Sequence, residues 1–198
     1  MEPGDLDPDP IRQIAVWLDE AGAAGVVEPN AMVLATATPD GRPSARTVLV
    51  KGVDERGLVF FTNYASRKGR ELAANPVAAA VLVWPALGRQ VCLTGPVART
   101  SWAESEAYFR TRPRGSRLAA WASPQSEVVA DRAELDRRLA RAAERFPHDD
   151  VPLPPWWGGF LLAPSSVELW RRGDDRLHDR LRYTRLPGGE WAVDRLAP

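Results

Sequence analysis

The stretch AMVLATATPDGRPSARTVLVK, residues 31–51, decides the fold. Its two halves, AMVLATAT (31–38) and SARTVLVK (44–51), are rich in β-branched residues, which pack well on a pleated surface. PDGR (39–42) between them is a turn signal, so the pair reads as a hairpin. Outward from it the same pattern recurs. DERG (54–57) is another turn and LVFFT (58–62) another strand. VAAAVLVW (77–84) and RQVCLTGPVART (89–100) read as two more strands around PALG. FLLAP, SVELWRR and RLHDRLRY follow late in the chain, with WAVDRL as a last return. Helices carry a different signature. Asp9-Pro10 is an N-cap followed by proline at the first helical position. Ile11, Ile14, Ala15 and Leu18 then share one face, predicting a helix that ends near Gly22 or Gly25. Ser66 caps a short helix through about Asn75, and Ser101 with Glu104 forms a capping box for one reaching about Arg112. RPRGS (112–116) breaks it, and residues 130–146 form an amphipathic helix with Leu135, Leu139 and Ala142 inward. Roughly six to eight short strands, with helices at the start and in the middle, predict a mostly β protein: a barrel with attached helices.

The totals narrow the function. A chain of 198 residues suits one domain, here residues 1–198 with 1–8 as a flexible tail. The crossing PHDDVPLPPWWGG (147–159) is the one candidate linker, and Trp156-Trp157 predict that it is packed down. Lys+Arg and Asp+Glu are both 26, which argues against a general electrostatic grip on nucleic acid. Cys92 is the single cysteine, so neither a disulfide framework nor a thiolate metal cluster is expected. With two histidines and no HExxH, no metal site is expected either. No P-loop, dinucleotide fingerprint or G-x-S-x-G elbow occurs. MEPGDLDPDP lacks the features of a signal peptide, and no apolar run approaches the roughly 20 residues a bilayer needs. The expectation is a cytoplasmic protein with no membrane partner.

Five constellations carry possible chemistry. Arg46 and Lys51 sit at the two ends of an apolar strand, on opposite faces. In FFTNYASRKGREL (60–72) a strand ends at Thr62, and Ser66-Arg67-Lys68 open a helix whose N–H groups favour a phosphate. Tyr108 and Arg112 share a helix face, with Ser116 just beyond the break. Gln125 and Ser126 lie in a polar loop between helices. RLHDR (176–180) places Arg176, His178 and Arg180 on one strand face, close after Trp170. Each also has an ordinary reading as a solvated charge, a helix cap or a core aromatic. Together they suggest two small anions bound to a β-rich scaffold, without specifying what the anions are.

RTVLVK, FFTNYASRK, RQV, YFRTRPRGS, WASPQSE, VPLPPWWGGF and ELWRRGDDRLHDRLRY, ending in WAVDRLAP, occur in the order seen in the pyridoxamine 5'-phosphate oxidase family. The chain resembles that family from about Asp9 to Pro198. The resemblance implies a split β-barrel homodimer with FMN in clefts at the subunit interface. It implies that Arg46, Thr47, Val48, Leu49, Val50 and Lys51 line the flavin, with Arg46 toward its phosphate. Phe61, Thr62, Gln90, Gln125, Ser126, Trp170 and Arg180 would also meet the cofactor, and Arg67 and Lys68 would hold its phosphate. Lys51, Tyr108, Arg112 and Ser116 would clasp a substrate phosphate. Arg176 and His178, the catalytic pair, would face the substrate ring. The implied reaction moves a hydride from C4' of pyridoxine or pyridoxamine 5'-phosphate to flavin N5, and dioxygen then reoxidises the flavin to give peroxide. Two departures stand out: Phe61 occupies a position where the family often has tyrosine, and the Arg-x-x-Tyr lid common near the N-terminus is missing. Two alternatives remain open: a related flavin oxidase of phenazine metabolism, and a non-catalytic module carrying FMN or pyridoxal phosphate.

Overall fold

The computed structural model describes residues 1–198. The opening hairpin forms as expected: β1 (Ala31–Ala37) pairs antiparallel with β2 (Pro43–Asp54), from Ala31↔Leu49 to Ala37↔Pro43. β2 runs on, shifts register between Val50 and Gly52, and pairs with β3 (Gly57–Asn63). β4 (Val77–Trp84), β5 (Arg89–Arg99) and β6 (Trp157–Leu162) complete the ring. Its order is β4-β1-β2-β3-β6-β5, and a β4–β5 pairing closes it. Closure leaves the ring without a free edge. β5 is shared: residues 97–99 pair with β6, whereas residues 89–94 pair with β7 (Ser166–Arg171). β7, β8 (Asp179–Arg185) and β9 (Trp191–Arg195) leave the barrel as an antiparallel meander. The sheet therefore has nine strands, one for each stretch named from the sequence, where six to eight were expected.

Alternation fills the barrel. Met32 and Leu34, Ala80 and Leu82, Val91 and Leu93 face inward at a spacing of two, all within 1% of complete burial. α1 (Pro10–Ala23), capped by Asp9, packs Ile14, Trp17 and Ala21 into the same core. Trp17 meets Trp84 edge-on at 6.3 Å, and Trp84 donates its indole N–H to the Pro29 carbonyl at 2.8 Å.

A smaller helical core flanks the barrel. α2 (Arg67–Ala74) follows β3; α3 (Trp102–Thr111), with its Ser101–Glu104 capping box, follows β5. RPRGS does end α3, but the same residues open a further helix, α4 (Arg114–Ala122), that the sequence reading lacks. Pro113 stands at its N-cap, where a fixed φ and a missing N–H cost nothing. α5 (Arg132–Arg145) corrects another expectation. Ala142 is buried, but Leu135 is only half-buried and Leu139 is 38% exposed, because α5 offers α4 a narrow face. Phe109, Leu118, Ala142, Val151, Leu153 and Trp157 form this second core, so the proline-rich crossing is packed down.

The RLHDR stretch is also corrected. Strand pairing between β7 and β8 ends at Arg171↔Asp179, so residues 172–178 must make the turn. Asp174–Arg176 form a single 3₁₀ turn, with Asp175 and Arg176 at φ +51° and +63°. Only Arg180 of the three basic groups is therefore on a strand. Residues 1–8, expected as a tail, contact the meander: the Tyr183 hydroxyl donates to the Asp7 carbonyl, and Arg195 pairs with Glu2 at 2.9 Å. No helix is long and apolar enough to cross a membrane.

Candidate active site

The end of β3 and the start of α2 are pinned together. Ser66 is fully buried; its hydroxyl donates to the Asn63 carbonyl at 2.7 Å and accepts from the Gly69 N–H at 3.3 Å. Gly69 is needed here, because a Cβ would come within 2.2 Å of the Tyr64 carbonyl oxygen. Ser66→Ala should cost about 1–2 kcal/mol of stability, as lost caps do, readable as a lower urea midpoint.

This junction drives Lys68 inward, to 7% exposure. Its ammonium donates to the Thr62 hydroxyl at 3.1 Å and has no carboxylate partner. Burial pushes its pKa below the ordinary lysine value, and the Arg46 charge adds to the shift. Arg46 and Arg67 do have a carboxylate, that of Glu71, one turn after Arg67 on α2. Burial alone would raise Glu71, but hydrogen bonds from Ser44, Thr36 and Arg67 outweigh it and hold the carboxyl at about 2.

Lys68 opens into a cleft of about 270 Å³. Thr47, Val48, Leu49 and Lys51 of β2 form one wall; Phe61 and Thr62 of β3, Tyr108 of α3, Arg112, Gln125 and Trp157 complete it. Phe61 stacks on Tyr108 at 4.0 Å and on Trp157 at 5.6 Å. The Arg112 guanidinium lies 4.5 Å over the Trp157 ring, and its buried Nη1 has no hydrogen-bond partner. Burial lowers the pKa of Arg112 and raises that of Tyr108. Gln125 accepts from the Thr62 hydroxyl at 3.1 Å, tying the loop after α4 to β3. A concave site with one buried cation, Lys68, and one half-buried cation, Arg112, neither facing a carboxylate, fits anionic groups on an aromatic body.

Every lining residue except Trp157 is one that the sequence reading names. Val50 is not among them: its side chain is in the barrel core, and its backbone N–H and C=O both bond Asn30. Ser116 sits on α4 and Ser126 is exposed at φ +74°; neither lines this cleft. Gln90, Trp170, His178 and Arg180 form a separate group. Gln90 pairs with Trp170 across β5 and β7, Trp170 with Arg180 across β7 and β8, and the His178 ring lies 4.6 Å from Trp170. Glu168 grips Arg180 with both carboxylate oxygens, at 2.8 and 3.0 Å. Arg176 belongs to the turn beside this group. Trp157, Glu71 and Glu168 are the residues that sequence reasoning missed. For Glu71 a signal existed, its i,i+4 spacing from Arg67.

Residues 18–146 match the family model described as pyridoxamine 5'-phosphate oxidase. The chain belongs to the pyridoxamine 5'-phosphate oxidase family. Residues 157–198 match the family's C-terminal dimerisation region, which contains the separate Trp170–Arg180 group. A pyridoxine/pyridoxamine 5'-phosphate oxidase of Rubrobacter xylanophilus is 59% identical over 97% of this chain and 88% of its own length. One of Thermobifida fusca is 54% identical over 100% of this chain and 92% of its own. These relatives make this a member of an oxidoreductase family. Among solved structures, PhzG from Burkholderia lata, in complex with tetrahydrophenazine-1-carboxylic acid, superposes with a TM-score of 0.92 at 36% identity, covering 100% of this chain and 98% of that one. A pyridoxamine 5'-phosphate oxidase-related, FMN-binding protein from Nostoc punctiforme shares the fold, with a TM-score of 0.75 at 24% identity over 93% and 95% of the two chains. Membership of this family points to a flavin as cofactor.

Proposed function

We propose that the protein is an FMN-dependent oxidase that converts pyridoxine or pyridoxamine 5'-phosphate to pyridoxal 5'-phosphate, working as a homodimer. The observation that carries this reading is a pair of cations lining one cleft with no carboxylate between them: Lys68, buried, and Arg112, half-buried with an unpartnered buried Nη1. Two phosphorylated aromatic compounds supply two such anions. Lys68, with Arg46 and Arg67 beside it, takes the FMN phosphate. Arg112, Lys51 and Tyr108, with Ser116 from α4, take the substrate phosphate. When bound, the flavin supplies the redox chemistry, accepting a hydride and passing its electrons to dioxygen to give peroxide.

The protein's own part is grip and orientation. Gln90, Trp170, Arg176, His178 and Arg180 lie outside the cleft of their own protomer, within or beside the dimerisation region, so a second copy brings them to it. His178 Nδ1 accepts from the Gly173 N–H at 3.2 Å. That bond leaves the proton of the neutral ring on Nε2, free to donate to the polar group at the reacting carbon of the substrate. Arg176, held in the turn at positive φ, brings a permanent positive charge to the same end of the substrate.

The test is oxygen consumption by the yellow, flavin-loaded protein. Pyridoxine and pyridoxamine 5'-phosphate should both be oxidised with release of peroxide. Dephosphorylated pyridoxine should lose about a hundredfold or more in kcat/KM, since charge-assisted hydrogen bonds contribute roughly 1.5–3 kcal/mol each. The likeness to PhzG keeps a phenazine precursor as the rival substrate. Turnover of that compound, with none of either vitamer, would overturn the assignment. A protein that held flavin and oxidised nothing would be the binding module instead.

A further inference from the structure

By charge alone a carboxylate is out of place beside a phosphate site, yet Glu71 lies at 5% exposure among the cations that face it. Its contacts explain what it does there. Oε1 accepts from Arg67 Nε at 2.8 Å. Oε2 accepts from the hydroxyls of Thr36 and Ser44, at 2.5 and 2.6 Å, and lies 3.5 Å from Arg46. Those two hydroxyls, their protons committed to Glu71, in turn accept from Arg46: Nη1 donates to Thr36 at 2.6 Å and Nη2 to Ser44. One carboxylate thus fixes one arginine directly and the other through a hydroxyl relay reaching across β1 and β2. It also sets the local charge. Arg46, Arg67 and Lys68 carry three positive charges and Glu71 one negative, leaving two, which matches a phosphomonoester near neutral pH.

We infer that Glu71 is a positioning residue: it preorganises Arg46 and Arg67 for the flavin phosphate and so sets the preference of the protein for FMN over riboflavin. This rests on the proposed FMN site and adds to it a residue that does not itself touch the ligand. Two effects of Glu71 oppose each other. Its charge repels a phosphate, so by charge alone its removal tightens FMN binding. Its hydrogen bonds aim the arginines, so by positioning its removal weakens FMN binding. Glutamine keeps the shape but can accept on one side only, so it releases either Arg67 or the relay.

The experiment titrates flavin-stripped protein with FMN and with riboflavin, following flavin fluorescence. Glu71→Gln should weaken FMN about tenfold or more while riboflavin affinity stays within about twofold. FMN binding as tight as in the wild type, or tighter, would overturn the inference. So would an equal loss for both flavins, which marks a merely structural role. If wild-type protein itself bound FMN no better than riboflavin, the phosphate site would fall, and the inference with it. Should Glu71→Gln not fold, Ser44→Ala removes one hydroxyl of the same relay at a half-buried position. The same FMN-specific loss is then expected, severalfold in size, and its absence would count against the inference equally.

Discussion

Replacing Lys68 with methionine should strip flavin from the protein and at the same time make the flavin-free chain more stable. Both effects follow from one fact: the ammonium is buried, bonded only to the Thr62 hydroxyl, with no counter-ion of its own. An unpaired buried charge is costly, and methionine fills the same volume without it. Thr62 is not orphaned by the change, since its hydroxyl still donates to Gln125. The flavin-free protein should gain on the order of 1 kcal/mol. Binding goes the other way. Truncating one partner of a buried charge pair costs about 2–5 kcal/mol, or roughly thirtyfold to several thousandfold in Kd. pH adds a second signature. The folded-state pKa of Lys68 is lowered from 10.5 by burial, so between the folded and ordinary values the unfolded chain holds more protons than the folded one. The penalty is complete below the folded value and fades as pH rises through it toward 10.5. The stability gap between variant and wild type should narrow over that window. Urea melts of both flavin-free proteins, with FMN titrations, decide the matter. A variant that keeps wild-type affinity for FMN would remove Lys68 from the phosphate site.

How far such groups can be seen beforehand depends on the range of the interactions that place them. The hairpin of residues 31–51 is local, since side-chain alternation and one turn determine it, and it formed in the expected place. Three of the five helices were legible from caps, since Asp9, Ser66 and Ser101 each accept a backbone N–H, and α5 was legible from its amphipathic pattern. α4 escaped because Pro113 reads as a stop, while proline beside a helix start is also an opening. Ring closure was beyond local reading: β4 and β5 form a hairpin around residues 85–88, but the β1–β4, β3–β6 and β5–β6 pairings join segments far apart in the chain.

The site divides along the same line. Tyr108 and Arg112, or Arg67 and Lys68, sit close enough in sequence for spacing to bring them together. The convergence of β2, β3, α3, Gln125 and Trp157 on one cleft is a tertiary fact that no spacing encodes. RLHDR misled because alternation was applied beyond the last paired residue. Once pairing stops at Asp179, positions 176 and 178 obey turn geometry rather than a pleat. The tilted contact between Trp170 and His178 arises from that turn, which brings residue 178 back onto the strand that precedes it.

The second large effect concerns Arg112. Arg112→Ala should leave flavin bound and lower kcat/KM for the phosphorylated vitamers by about a hundredfold or more, in line with roughly 2–5 kcal/mol for a buried charged contact. Its guanidinium lies 4.5 Å over the Trp157 ring, and one buried nitrogen lacks any acceptor, so it has a hydrogen bond left to donate. Stability should change little. The variant loses a cation–π contact of about 0.5–2 kcal/mol but also removes a buried donor left unsatisfied, which costs about 1–3. The decisive comparison crosses the variant with the substrate. With pyridoxine, which has no phosphate, Arg112→Ala should cost almost nothing, because the group it would have held is absent. The difference between the two losses is the coupling energy of guanidinium and phosphate, freed from effects common to both substrates. Its division between KM and kcat carries further meaning. A rise in KM alone means that the phosphate contact is equally strong in ground and transition states. A fall in kcat means that remote binding energy helps align the ring. Equal losses on both substrates would show that Arg112 supports the cleft through Trp157 and Phe109 rather than through the phosphate, and the substrate would then have to be anchored elsewhere.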